Sequence, residues 1–254
     1  VTPLLTVRLA TSIRANRLTN GIALADVVLE VVPGSEPAPQ STSDLDVFEG
    51  REVATFKPNW SRPLEVTYQY EREEVDYGRG VASYYTPIDF GSRLHQATFT
   101  GIDKELMADL IEFFQRNQGQ RNEFWIPSWE DDFDVVEDLA AGSDSIRVKG
   151  TDVQTYFQND KVYQCVTVKT KAGVWYHRRI EEMFTINDAK GLDTIIKLDS
   201  VIGDAIGLSE LHFVGWLFLA RHASDSMTAR WVTNEVGSCN FSFLTLENLP
   251  EEVL

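Results

Sequence analysis

Cysteine is almost missing from this sequence: only Cys165 and Cys239 occur in 254 residues. Neither lies in a CxxC pair, so a disulfide framework is not what holds the chain. Two buried thiols are expected, with a single bridge as the alternative. Long apolar runs are missing too. The longest, Phe213 to Ala220 (FVGWLFLA), is of strand length and far short of the ~20 residues that a membrane-spanning helix needs. The amino terminus has no basic region followed by an apolar core, which argues for a cytoplasmic product without a secretory signal. Basic residues are scarce: 23 Lys and Arg face 39 Asp and Glu, for a net charge of −16. That balance speaks against binding nucleic-acid phosphates or an anionic membrane surface.

Signatures of catalysis and of cofactors are missing as well. There is no GxSxG elbow, no GxGxxG or GxxxxGK[ST] cradle and no HExxH pair. Gly78-Arg79-Gly80 reads as a turn. The histidines, His95, His177, His212 and His222, never stand four residues apart, so a metal site would have to be gathered from distant strands. Surface or hydrogen-bonded histidines are the simpler expectation. The acidic run Glu130-Asp131-Asp132-Phe133-Asp134 is the best place for a metal, yet it lacks the alternating spacing and central glycine of a calcium loop. It is expected to be a solvated loop, or an ion-pair partner for arginines of a neighbouring subunit. Nothing singles out a catalytic pair among the 39 acidic residues. The expectation is a protein without catalysis, metal or cofactor.

What is present is ordinary globular composition, 43% hydrophobic and 24% charged, with length for one large or two medium domains. One stretch organises the rest: Thr100 to Asp134. Ile102, Leu106, Leu110, Phe113 and Phe114 fall at helical spacing, with Met107 and Ile111 beside them and Asp109, Glu112, Gln115 and Arg116 on the polar side. Thr100 or Asp103 can cap the start, and Gly119 can take the left-handed conformation at the end, which predicts a helix over 103–118. Phe124, Trp125, Pro127 and Trp129 follow within six residues.

Elsewhere the pattern is that of strands. Short β-like runs occupy 4–9, 22–32, 52–56, 64–70, 81–85 and 95–100, with Pro33-Gly34 and Asp76 to Gly80 as turns and 35–46 as an exposed loop. After the turn cluster Ala140 to Asp144, strands are expected at 145–148, 161–170, 174–186 and 194–198, joined by Lys171-Ala172-Gly173 and by Asn187 to Gly191. That spacing suggests a small barrel or sandwich. Residues 211–246 are again strand-like, with Cys239, Phe241 and Phe243 on one face, and 248–254 read as an exposed tail. The tryptophans at 60, 125, 129, 175, 216 and 231 are expected to be core or interface anchors rather than a sugar platform.

Several of these stretches resemble the distal tail and minor tail-tip (baseplate) proteins of long-tailed bacteriophages and phage-derived particles. PNWSRPLEVTYQY (Pro58 to Tyr70) looks like their PNW-S-P strand. Phe99 to Phe133 resembles their helix followed by an FW.P.W..DF element. AGSDSIRVKG (Ala141 to Gly150) and IKLDSVIGDAI (Ile196 to Ile206) resemble their small inserted β-domain, and Trp216 to Leu246 their closing segment. The similarity spans most of residues 56–246. It implies a mainly β protein: a β-sandwich-like ring domain with one packed α-helix, built from 1–138 and 211–254, plus a small inserted β-barrel at 139–210.

By the same resemblance the chain is a structural part of a virion tail tip, made in the host cytoplasm. It would form a homo-oligomeric ring, hexameric or trimeric, that joins the tail tube to hub proteins, with receptor-binding proteins as further neighbours. Trp60, Phe113, Phe114, Gly119, Phe124, Trp125, Pro127, Trp129, Arg221 and Trp231 are the residues expected to carry the structure or its subunit contacts. The negative charge would suit a lumen that passes DNA without gripping it. The alternative is a carbohydrate-binding module that contacts host surface glycans, with Trp175 and Tyr176 as its platform. A cell-wall hydrolase would need an acid pair or metal triad that the sequence does not display.

Overall fold

Alternating apolar and polar residues, rich in aromatic and β-branched side chains, make this a chain of strands. The computed structural model describes residues 44–58, 92–189, 191–233 and 235–247, together with strands at 7–9, 14–19, 22–26, 29–31, 65–69, 73–76 and 82–85. The fold is mainly β. Contacts divide it into two units, Val1–Thr42 and Ser43–Leu254. In the first, β1 (Val7–Leu9) pairs antiparallel with β4 (Leu29–Val31), and β2 (Arg14–Thr19) with β3 (Ile22–Asp26). Trp60, the loop over 35–43 and the tail from 248 lie outside the described residues.

The second unit begins with β5 (Val47–Phe48) and β6 (Arg51–Glu52), a short hairpin. Then come β7 (Glu65–Gln69), the β8–β9 hairpin (Glu73–Asp76 and Ala82–Tyr85) and β10 (Ser92–Ile102). Helix α1 (Lys104–Arg116) and β11 (Glu123–Pro127) follow. Next are β12 (Ser143–Lys149), the short helix α2 (Asp152–Phe157), β13 (Cys165–Thr170), β14 (Trp175–Asp188) and β15 (Gly191–Ile202). The chain closes with β16 (Leu211–His222), β17 (Ala229–Trp231) and β18 (Gly237–Thr245). One antiparallel sheet runs β12-β15-β14-β13-β16-β18-β10-β7, with β11 on β16 and β17 on β18.

The path shows how the segment 139–210 is joined to the rest of the second unit. The contacts do not part the chain at 139 and 210. Strand β13 pairs with β16 from Cys165↔Leu217 to Thr170↔Leu211, so the segment 139–210 is hydrogen-bonded into the sheet that carries the helix. The physical reason is the length of β14. Its first part pairs with β13 and its later part with β15, with a register shift between Ile180 and Glu182, so one strand serves both regions.

Helix α1 behaves as its spacing predicts. Asp103 caps it, its side chain accepting from the Leu106 N–H at 2.9 Å, and Met107, Leu110 and Phe113 are fully buried. Burial of such side chains stabilises the fold by about 1.5–3 kcal/mol each. The Phe113 ring meets Phe124 edge-on at 4.9 Å and Phe56 at 5.5 Å, and lies 6.0 Å from Phe241 on β18. The helix ends through two left-handed residues, Gln118 at φ 53° and Gly119 at φ 63°. A side chain at Gly119 would also stand 2.6 Å from Asp225 Oδ1, which accepts from the Gln120 N–H instead. The apolar run in β16 is buried on both faces. Trp216, Phe218 and Ala220 join the main core, while Leu217 and Leu219 join Val53, Trp125 and Cys165 in a second cluster. Cys165 and Cys239 are both buried thiols, in different clusters.

Candidate functional site

The aromatic-proline segment turns out to be framework. Phe124, Trp125, Pro127 and Trp129 are all buried. Strand β11 lies against β16, from Glu123↔Arg221 to Pro127↔Leu217, and Trp125 Nε1 donates to the Phe48 carbonyl at 2.9 Å. The Phe48 ring packs edge-on against Trp125 at 5.2 Å, and Arg179 holds Glu49 through two hydrogen bonds of 2.7 Å. Trp129 adopts φ 64°, a left-handed conformation that is uncommon for a bulky residue.

The acidic run is solvated only in part: Glu130, Asp131 and Asp134 are exposed, while the segment is tied to β16. Ser128 N–H donates to the Trp216 carbonyl at 2.9 Å, and Phe133 N–H to the Val214 carbonyl at 3.2 Å. Between them the carboxylates take the place of strand carbonyls. Asp131 Oδ1 accepts from Val214 N–H at 3.1 Å, and Asp132 Oδ2 from Trp216 N–H at 2.9 Å as well as from the Ser128 hydroxyl. Burial raises the Asp132 carboxyl above the usual range, and the hydrogen bonds from Ser128 and Trp216 pull the other way. Gly215 lies under this bridge; a Cβ there would stand 2.5 Å from the Glu130 carbonyl and 2.7 Å from Ser128 Oγ. No group of metal-ligating side chains occurs among the described residues.

Beside the bridge is a half-open cavity of about 210 Å³, bounded by Arg93 and His95 of β10, Tyr68 of β7, Tyr163, Trp216 and the Ser128–Asp132 turn. The Arg93 guanidinium lies over the Tyr163 ring at 4.6 Å and the Tyr68 ring at 5.3 Å, and it donates to the Tyr163 hydroxyl. His95 stacks on Phe243 at 4.9 Å; burial and then the Arg93 charge lower its pKa to about 4, so it is neutral at pH 7. His177 and His222 are also buried and lowered to about 4, chiefly by burial. The expectation of surface or hydrogen-bonded histidines is thus corrected for two of them. His222 packs among Phe113, Phe114, Phe124 and Phe241, and Nε2 of both His95 and His222 has no hydrogen-bond partner. His177 does bond, through Nδ1 to Thr167 Oγ1 at 2.9 Å.

Of the sequence-derived candidates, Phe113, Gly119, Phe124, Trp125, Pro127 and Trp129 are interior, and Phe114 is half-buried against His222. Arg221 and Trp231 reach the surface. Trp231 does so at 49% exposure in the β17–β18 hairpin, with Val232 at 75% and Val236 at 37% beside it. The proposed sugar platform is occupied: Trp175 packs edge-on against Trp129 and Phe213, and Lys169 Nζ lies 4.4 Å from its ring centre. The Tyr176 hydroxyl donates to Asp204 at 2.6 Å. Sequence reasoning missed the cavity, because Tyr68, Arg93 and Tyr163 come from three separate elements and share no local motif. No protein-family description matches the chain, and no curated protein matches it.

Proposed function

We propose that this chain is a structural subunit of a phage-type tail tip, assembling into a ring around the tail axis and joining tube to hub. The single observation that carries the reading is the apolar β17–β18 hairpin. Trp231, Val232 and Val236 stand exposed together at a turn where Val232 N–H and Thr233 N–H both donate to the Val236 carbonyl. Such a cluster on a hairpin is suited to inserting between copies, since aromatic anchors dominate interface energetics. The hairpin is held from below: a Cβ at Gly237 would stand 2.8 Å from the Met107 methyl, so helix and hairpin are in close contact. A sheet with one packed helix is a suitable ring block, and the motif order along 56–246 supports the same reading.

In a ring the contact is heterologous: the hairpin of one copy meets a different surface of the next. Sedimentation over a range of concentrations tests this. The native chain should shift to a defined closed oligomer, and Trp231→Asp should remain monomeric with an unchanged melting temperature. Equal assembly by Trp231→Asp would remove the hairpin from the interface.

A further inference from the structure

The geometry points to a binding site for a single neutral sugar ring in the cavity between β7, β10 and the Ser128–Asp132 turn. Its volume, about 210 Å³, lies below that of sites for drug-sized ligands, roughly 300–1,000 Å³, and suits one ring rather than an extended chain. Its walls are aromatic. Tyr163 and Trp216 meet edge-on at 4.7 Å and form a packed floor, Trp216 being only 4% exposed and Tyr163 lying under Arg93, while Tyr68 stands at the mouth at 64% exposure. The outer face of Tyr68 is the one that can pack against the C–H face of a pyranose.

The polar groups at the cavity carry both signs. Arg93 supplies a guanidinium, Glu130 and Asp132 supply carboxylates. The cation disfavours a cationic ligand, and the two carboxylates disfavour an anionic one. A neutral polyol avoids both penalties, because each hydroxyl can donate to a carboxylate and accept from a guanidinium. Asp132 has already committed Oδ2 to Ser128 and Trp216, which fixes its orientation without a ligand. Arg93 is likewise pre-positioned by the Tyr163 ring and hydroxyl. This site is distinct from Trp175–Tyr176, and it stands or falls apart from the ring reading.

The test is a titration of the full chain with neutral hexoses and N-acetylhexosamines, followed by NMR or calorimetry. Glucuronate and glucosamine serve as charged comparators, and a proline- and aromatic-rich peptide as a competitor of another class. At least one neutral sugar should bind saturably in the millimolar range, about tenfold tighter than either charged sugar. Tyr68→Ala should weaken that binding about tenfold, while Tyr156→Ala, at a surface aromatic outside the cavity that is 71% exposed, should leave it unchanged. Melting temperatures of both variants verify folding. No saturable neutral-sugar binding up to ~50 mM, preference for the peptide, or binding indifferent to Tyr68→Ala would each overturn the assignment.

Discussion

His95, His177 and His222 are kept neutral by burial, with pKa values lowered from 6.5 to about 4. Between those values the unfolded chain binds more protons than the folded one. Stability is therefore present above pH 6.5 and is lost as pH falls toward 4, by up to roughly 3 kcal/mol per histidine. Asp132, whose carboxyl is raised, acts with the opposite sign at the lower end of that range. Urea melts at pH 7 and pH 5 should show a lower midpoint at pH 5, and His222→Phe should remove about one proton from the acid dependence. A midpoint unchanged between the two pH values would contradict the burial account. Gly215 offers a second residue-scale prediction. Its missing Cβ makes room for the Glu130 carbonyl at 2.5 Å, a backbone atom that cannot swing away. Gly215→Ala should cost about 1–3 kcal/mol in chemical denaturation, through overpacking beneath the carboxylate bridge. None of this was legible in the sequence. The rings around His95 and His222 arrive from residues such as Phe243 and Phe113, more than a hundred positions away. The role of Asp131 and Asp132 depends on the pairing of β16 with the turn before it.

Among the elements, the distal strands β12, β14 and β15 are joined by an ion cluster in which Arg147 and Asp193 are buried and Asp188 is exposed. Arg147, 5% exposed, donates to Asp193 through Nε at 2.8 Å and Nη2 at 2.6 Å, and to both oxygens of Asp188 at 2.9 Å. Removing the guanidinium alone leaves the Asp193 carboxylate buried and uncompensated. Arg147→Met should lower the melting temperature clearly, and Arg147→Met with Asp193→Asn should recover part of the loss. A double variant no better than the single one would show that the cluster is not what couples these strands. At this scale much was readable. Helix α1 spans Lys104–Arg116 against an expected 103–118, with the Asp103 cap in place. The Asn187 to Gly191 turn does join β14 to β15, closing at Asp188↔Gly191. What local signals could not convey is where strands go after their turns. The cluster at Ala140 to Asp144 reads as a turn, and Gly142 at φ 76° does bend the chain into β12, but the partner that β12 then takes is not written there. Helix α2 was missed because six residues with no side-chain cap leave almost no periodic trace.

For the whole molecule, a mainly β fold with a single helix longer than two turns among the described residues agrees with the class read from the sequence. The net charge of −16 adds an assembly-level constraint. Copies of so acidic a chain repel one another at long range, so the proposed ring has to draw its association from apolar contacts such as the Trp231 hairpin, and added salt should strengthen it by screening. If the chain does build a channel, its acidic residues belong on the lumen wall. Electron microscopy of the purified chain at high concentration and moderate salt tests the central claim most directly. The account predicts closed rings of one rotational symmetry with an open axial channel. Compact single particles under all conditions, or open-ended filaments in place of rings, would contradict it.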